Sequence, residues 1–249
     1  MSVVIPVYND IRVGVAIESA AGQQFAGDVE IMIIDGGSNG ETMQVLDSYK
    51  DVLSVVVSEP DDGVFDALNK GVRLATGDVV ALMGADDRFD SPRVFAKVMD
   101  VLKNPEFDGC YGDLVYVDDD DNVVRYWHSG RYRRFKLYFG WIVPHFTLFL
   151  RKSAYDKYGL LNTQYRYAAD YEFFLRLLLA HNVKLAYIED ILLRMTLGGQ
   201  SNRSFQNIVL GNLDAFRAWR NNGFRFGFLV PFLKPARKLL QYVHRPPAR

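Results

Sequence analysis

Two adjacent carboxylates, Asp86 and Asp87, stand at the end of a short apolar run from Val79 to Met83. The run has the length and composition of a buried strand. An ionised carboxylate without a partner is costly to bury, so both acids belong at the strand's exposed end. In open α/β sheets that end is where ligands bind. Two hard oxygen ligands on neighbouring residues can hold Mg²⁺ or Mn²⁺ and leave coordination positions for phosphate. A solvated Asp-Asp turn accounts for the pair equally well when it is taken alone.

The elements around this pair repeat. Ser2–Val7, Val29–Ile34 and Leu53–Val57 read as strands, and each is followed by a helical pattern: 11–21, 41–49 and 65–75. Ser91 and Pro92 suit the N-cap and first turn of a fourth helix that reaches Leu102. Strand and helix repeated four times imply a parallel sheet covered by helices. The loops after its strands carry Tyr8 and Asn9, then Asp35, then Glu59 and Asp61, then Asp86 and Asp87. In a parallel sheet all four lie at one edge, which makes that edge a candidate site.

Beyond Leu102 the pattern changes. Gly109–Val117 and Val123–His128 read as strands joined by Asp118-Asp119-Asp120-Asp121-Asn122, which turn chemistry assigns to a hairpin rather than a metal site. Phe146–Leu150 and Val183–Ile188 are further strand candidates, and an apolar-faced helix follows Asp170. From Ala215 to Arg249 there is no acidic residue, and arginines and lysines alternate with aromatic and aliphatic side chains. Such a tail suits a helix lying on an anionic membrane surface, or a terminal helix packed on the domain or on a second subunit. Pro231 and Pro235 interrupt any long helix there.

The 249 residues are 49% hydrophobic, ample for one large core, and the net charge of −1 gives no global field for nucleic acid. One cysteine, Cys110, forms no internal disulfide and fits a reducing compartment. No basic leader precedes the first strand, and no stretch approaches the roughly 20 apolar residues of a spanning helix. These features predict a cytoplasmic protein, peripheral at the inner face of the membrane if the tail meets lipid.

Taken in order, Ser-Val-Val-Ile-Pro-Val-Tyr-Asn at 2–9, Ile-Ile-Asp-Gly-Gly-Ser-Asn-Gly at 33–40, Ser-Glu-Pro-Asp-Asp-Gly-Val-Phe-Asp-Ala-Leu-Asn-Lys-Gly at 58–71, Ala-Thr-Gly-Asp at 75–78 and Ala-Asp-Asp at 85–87 resemble a family 2 glycosyltransferase. Pro-His-Phe-Thr at 144–147 and Ala-Asp-Tyr-Glu-Phe at 169–173 fit as well, so the resemblance covers roughly residues 2–200. It implies a GT-A fold: an α/β, Rossmann-like, mostly parallel sheet with helices on both faces. Residues 1–102 would form the nucleotide-sugar half and 103–214 the acceptor-binding half of one domain, with 215–249 as a basic amphipathic helical tail.

The implied activity is inverting transfer of one sugar from a nucleoside-diphosphate sugar, UDP first among the bases, with Mn²⁺ or Mg²⁺. The implied acceptor is a hydroxyl of a glycan or polyprenyl-linked glycan, as in cell-surface polysaccharide synthesis. The resemblance implies donor and acceptor as partners; the tail's composition adds an anionic membrane surface or, alternatively, a second copy in a homodimer, and the net charge points to no nucleic acid. By resemblance Pro6, Tyr8 and Asp35 form the nucleoside pocket, with Asp61 and Asn69 lining it. Asp86 lies near ribose and metal, Asp87 ligates the metal, and Asp170 is the general base. Asp170 also suits a helix N-cap. His145 lines the acceptor cleft or lies near the diphosphate, and suits equally a structural histidine under a loop. Arg194 and the Gly198-Gly199-Gln200-Ser201 loop could close over the phosphates.

Gly36 replaces a second acid usual after Asp35 in that family, and Gly84 replaces a polar residue. Processive relatives carry Gln-x-x-Arg-Trp, whereas here Ser204 follows Arg203, which implies single transfer. Two other functions compete. A sugar nucleotidyltransferase needs a glycine-rich, basic phosphate loop after the first strand, and Pro6-Val7-Tyr8-Asn9-Asp10 is not one. A non-catalytic sugar-nucleotide or glycan-binding subunit would bind donor without turnover.

Overall fold

The computed structural model describes residues 1–197, 205–223 and 241. β1 (Ser2–Val7), α1 (Val13–Ala21), β2 (Glu30–Asp35), α2 (Gly40–Ser48), β3 (Val55–Ser58), α3 (Val64–Leu74) and β4 (Val79–Leu82) alternate along the chain. Their strands pair in the order β3-β2-β1-β4, all parallel, with Val7 opposite Asp35 and Asp35 opposite Ser58. β1 is buried throughout because helices cover both faces of the sheet. Val3, Ile5 and Val7 enter one core with Ile17 of α1 and Leu46 of α2, whereas Val4 enters the opposite core with Leu68 and Val72 of α3. That alternation is the two-residue period of a strand. α3 lies so close to the sheet that a Cβ on Gly71 would overlap the Val4 side chain.

The sheet then continues through β4-β8-β6-β9-β5. These strands are β5 (Arg88–Phe89), β6 (Gly109–Val117), β8 (Phe149–Arg151) and β9 (Leu185–Thr196), while β7 (Val123–Trp127) pairs with β6. β8 runs antiparallel to both β4 and β6, and β6 and β9 are parallel. One sheet therefore crosses the expected boundary at 102. The helices of this half are α4 (Val94–Leu102), α5 (Arg134–Tyr138), α6 (Lys152–Tyr158), α7 (Ala169–Leu175), which runs into a π-helical turn at Arg176–Ala180, and α8 (Phe205–Asn221).

The acidic stretch 118–122 is a hairpin turn, with Asp118 N–H donating to the Asn122 carbonyl and Asp121 at φ 65°. Several expectations change. Ser91 does not cap α4, which begins at Val94 behind Arg93. Residues 145–147 form a 3₁₀ turn, so only Phe149 and Leu150 of the predicted 146–150 strand lie in β8. The strand predicted over 183–188 extends to Thr196, because β6 supplies a partner along that length.

α8 passes through the expected 214/215 boundary. Ala215, Ala218 and Trp219 are buried, and Trp219 Nε1 donates to Tyr171 Oη on α7 at 2.8 Å. This first part of the supposed tail is packed on the domain. Residues 198–204, with the Gly198-Gly199-Gln200-Ser201 loop and the Arg203 motif, and the rest of the tail apart from Gln241 lie outside the described residues. Among the described residues no helix is long and apolar enough to cross a membrane.

Candidate active site

The four loops expected at one edge of the sheet are joined there by named contacts. Asn9 follows β1 at φ 49°, a left-handed conformation that asparagine tolerates. Its N–H donates to Ser38 Oγ at 2.8 Å, and its Oδ1 accepts from Asn39 N at 2.7 Å, tying the β1 loop to the β2 loop. The β2 loop reaches the β3 loop at Gly36, where a Cβ would stand 2.7 Å from Asp61 Oδ2. Arg12, at the start of α1, reaches the β4 loop: its Nη1 lies 3.0 Å from Asp86 Oδ2.

Asp87 is the buried member of the acidic pair. It is 2% exposed, and its Oδ1 accepts from Thr196 N at 3.2 Å. Thr196 Oγ1 donates to the Asp86 carbonyl at 2.7 Å, so the end of β9 holds the acidic pair from the far side of the sheet. Gly84 makes room: a Cβ there would lie 2.6 Å from Asp87 Oδ2. Burial, with the Asp86 charge added, pushes the Asp87 carboxyl up to about 8. Such a carboxyl is short of positive charge. A divalent cation would supply it, and hard oxygens on Asp87 and the partly exposed Asp86 are the right donor type. Among the described residues no group of three or more His, Cys, Asp or Glu forms a ready cage. An acidic pair that leaves positions for phosphate oxygens suits Mg²⁺ or Mn²⁺, which are commonly held by one or two carboxylates.

The nucleoside candidates divide. Tyr8 is 62% exposed at the end of β1, with a ring face free for a base to stack on, and Pro6 is buried within the strand. Asp35 is fully buried. Its carboxylate accepts from Ser58 Oγ at 2.6 Å and from the N–H groups of Gly37 and Ser38, so it braces the loop beneath that surface. Asp61 Oδ1 accepts from Gly63 N at 2.9 Å at the entry to α3. Asn69 sits elsewhere: both ends of its buried amide clamp the Leu161 backbone, at 2.8 and 3.0 Å. Arg194 Nε and Nη1 each lie 2.9 Å from a carboxylate, Asp90 and Asp121 respectively. Its charge is already paired between β5, β9 and the hairpin, which differs from the expected closure over phosphate.

Asp170 is the second residue of α7. Ala168 occupies the N-cap position, so Asp170 is not the cap, and its Oδ1 accepts from its own neighbour's N–H, Tyr171, at 2.7 Å. Its charge is felt by His145, which burial keeps toward the neutral form. The His145 ring stacks on Phe146 and meets Phe174 edge-on, while its Nε2 is enclosed with no hydrogen-bond partner among the described residues. The 145–147 turn packs against β4, β6 and β9. It therefore bridges the strand that leads to Asp87 and the helix that carries Asp170. Sequence reasoning missed Arg12 and Thr196.

Comparison with known proteins follows this geometry. The profile of glycosyl transferase family 2 matches residues 2–159. A PGL/p-HBAD biosynthesis glycosyltransferase of Mycobacterium bovis is 31% identical over 178 residues, covering 70% of this chain and 68% of that protein. An uncharacterized glycosyltransferase of Methanocaldococcus jannaschii is 25% identical over 218 residues, covering 81% of this chain and 72% of that protein. Among solved structures, the mannosyltransferase PcManGT of Pyrobaculum calidifontis, in complex with GDP-Man and Mn²⁺, superposes with a TM-score of 0.65 at 16% identity, over 96% of this chain and 73% of that one. S. aureus TarS 1–349 in complex with UDP-GlcNAc gives 0.61 at 15% identity, over 90% and 68%. Against a longer TarS chain the match spans 39% of that chain's length. These likenesses are of fold, and the fold is GT-A. Acid-bearing loops gathered on a four-strand parallel edge and a profile match over most of the chain lead to one assignment: the chain belongs to glycosyl transferase family 2.

Proposed function

We propose that this chain transfers one sugar, with inversion, from a nucleoside-diphosphate sugar to a hydroxyl of a glycan or lipid-linked glycan. The observation that carries the reading is Asp87, a buried carboxyl in the loop after β4, held by the Thr196 N–H beside Gly84, whose ionised form burial and the neighbouring Asp86 disfavour. Asp87 and Asp86 would hold a divalent cation, which when bound would supply positive charge to offset that of the diphosphate leaving group. Tyr8 receives the base by stacking, and the Asp35-braced loop shapes the pocket beneath it. Asp170 takes the proton of the attacking hydroxyl, and attack opposite the leaving group inverts the anomeric centre. His145, kept neutral by burial, adds no competing positive charge beside Asp170. UDP-sugars are the first donors to test, since TarS 1–349 was solved with UDP-GlcNAc, and GDP-mannose is next, since PcManGT was solved with it.

The test has two stages. Thermal shift with nucleoside diphosphates and their sugars, with and without Mn²⁺, identifies the donor, because a ligand raises apparent stability by mass action. Asp87→Ala is expected to lose Mn²⁺-dependent donor binding. Asp170→Asn is expected to keep it and to lose transfer by at least about a hundredfold. Transfer undiminished in Asp170→Asn sinks the assignment of the base. Donor binding without turnover on any acceptor favours a non-catalytic binding subunit.

A further inference from the structure

The segment 122–155 contains no Asp or Glu but carries Arg125, Arg131, Arg133, Arg134, Lys136, Arg151 and Lys152, in a chain whose net charge is only −1. Its centre is α5. One side of that helix is anchored: Leu137 and Trp141 are buried, Trp141 Nε1 donates to the Ser129 carbonyl at 2.6 Å, and Tyr138 packs on Trp219 at 5.0 Å. The other side is solvated. Phe135 is 56% exposed and Phe139 55%, with their rings edge to face at 6.5 Å. Arg131, Arg133 and Arg134 beside them are exposed, and among the described residues none lies within ion-pair distance of a carboxylate. Lys136 Nζ donates to the Arg131 carbonyl at 2.8 Å, which helps to fix the segment.

We infer that α5 and the residues leading into it are a docking surface for an anionic phospholipid bilayer. An aromatic pair on an anchored helix enters the headgroup region, and the flanking guanidinium groups pair with lipid phosphates. Charge decides against a second copy of this chain. A two-fold contact through the same patch would bring the unpaired arginines against their counterparts. The residues it rests on lie at 131–139 of the chain, outside the 215–249 segment, and the surface stands apart from the sugar-transfer reading. Vesicle binding tests the surface, whereas donor binding tests that reading.

The experiment uses the full chain in co-sedimentation with vesicles of phosphatidylcholine alone or mixed with phosphatidylglycerol. Wild type is expected to sediment with the anionic vesicles and to be released by high salt. Phe135→Ser with Phe139→Ser, and separately Arg131→Gln with Arg133→Gln, are each expected to weaken binding by at least about tenfold, Arg134 being left in place because its Nη2 donates to the Leu179 carbonyl. Their melting temperatures and nucleoside-diphosphate binding should be retained, since these side chains are solvent-facing. Wild-type binding to anionic vesicles that both variant sets keep would overturn the inference and place the contact elsewhere. So would no vesicle binding by wild type, or self-association through the Phe pair in sedimentation velocity without vesicle binding.

Discussion

Arg12 Nη1 lies 3.0 Å from Asp86 Oδ2, so a cation from the loop after β1 caps an acid from the loop after β4. Half of the Arg12 side chain is exposed, and its pKa is raised chiefly by the hydrogen bond to Asp10 at 2.6 Å, with the Asp86 charge adding to it. An exposed pair of this kind contributes only about 0–1 kcal/mol to folding. Its significance is for binding: a diphosphate arriving at the acidic pair meets a guanidinium already held there. Arg12→Ala is expected to weaken nucleoside-diphosphate binding by about tenfold while changing the urea midpoint little. Calorimetric titration in Mn²⁺ checks this, and unchanged affinity removes Arg12 from the donor site.

Gly84 is the second point of leverage. A Cβ placed 2.6 Å from Asp87 Oδ2 must displace a buried carboxylate that has little room to move. Gly84→Ala is expected to fold, with stability lowered by about 1–3 kcal/mol, and to lose Mn²⁺-dependent donor binding. Isothermal titration beside circular dichroism separates these effects. Donor affinity equal to wild type would mean that the Asp87 position is not needed.

Asp87 also predicts a pH dependence. Its folded value of about 8 lies above its ordinary 3.8. Between those limits the native state holds a proton that the unfolded chain has released. In metal-free protein this group's contribution is therefore full below about pH 4 and declines as pH rises toward 8. A divalent cation competes for the same carboxylate, so the stabilisation given by Mn²⁺ should grow with pH over that window. Melting curves in EDTA and in Mn²⁺ across pH 5–8 measure both trends. Asp87→Asn should flatten them, and identical slopes in wild type and variant would refute the assignment.

Trp219 tests the anchoring of α8. It is fully buried, and its indole N–H is donated to Tyr171 Oη. Trp219→Ala is expected to cost about 3–5 kcal/mol, from the cavity and the lost hydrogen bond together. Urea unfolding followed by far-ultraviolet circular dichroism reads the loss. A cost below about 1 kcal/mol would mean that α8 is not part of the core.

The parallel half of the sheet was legible because strands buried on both faces read as short apolar runs, and the interiors of β1, β2 and β4 do. The acidic pair was legible because such a run ends at it abruptly. What escaped reading depends on contacts between distant segments. Thr196 meets Asp86 across 110 positions, and Asn69 clamps Leu161 across 92. Arg194 looks like an unattached cation until Asp90 appears beside it, 104 positions away. No periodicity marks such partners. β8 and α5 are too short, at three and five residues, to carry a readable pattern. The 146–150 stretch reads as a strand, but its start turns with His145, because Thr147 Oγ1 donates to the Pro144 carbonyl at 2.9 Å.

Cys110 lies on β6 at the junction where β8 and β9 both pair with it, fully buried and with its thiol pushed far above the ordinary range by desolvation. It is the single sulfhydryl of the chain. An alkylating reagent can reach it only when the two halves of the sheet part, so the rate of its capture is a native clock for that opening, with no added label. Donor or bilayer that fastens the halves together would slow the clock, and each could be timed separately on unaltered protein.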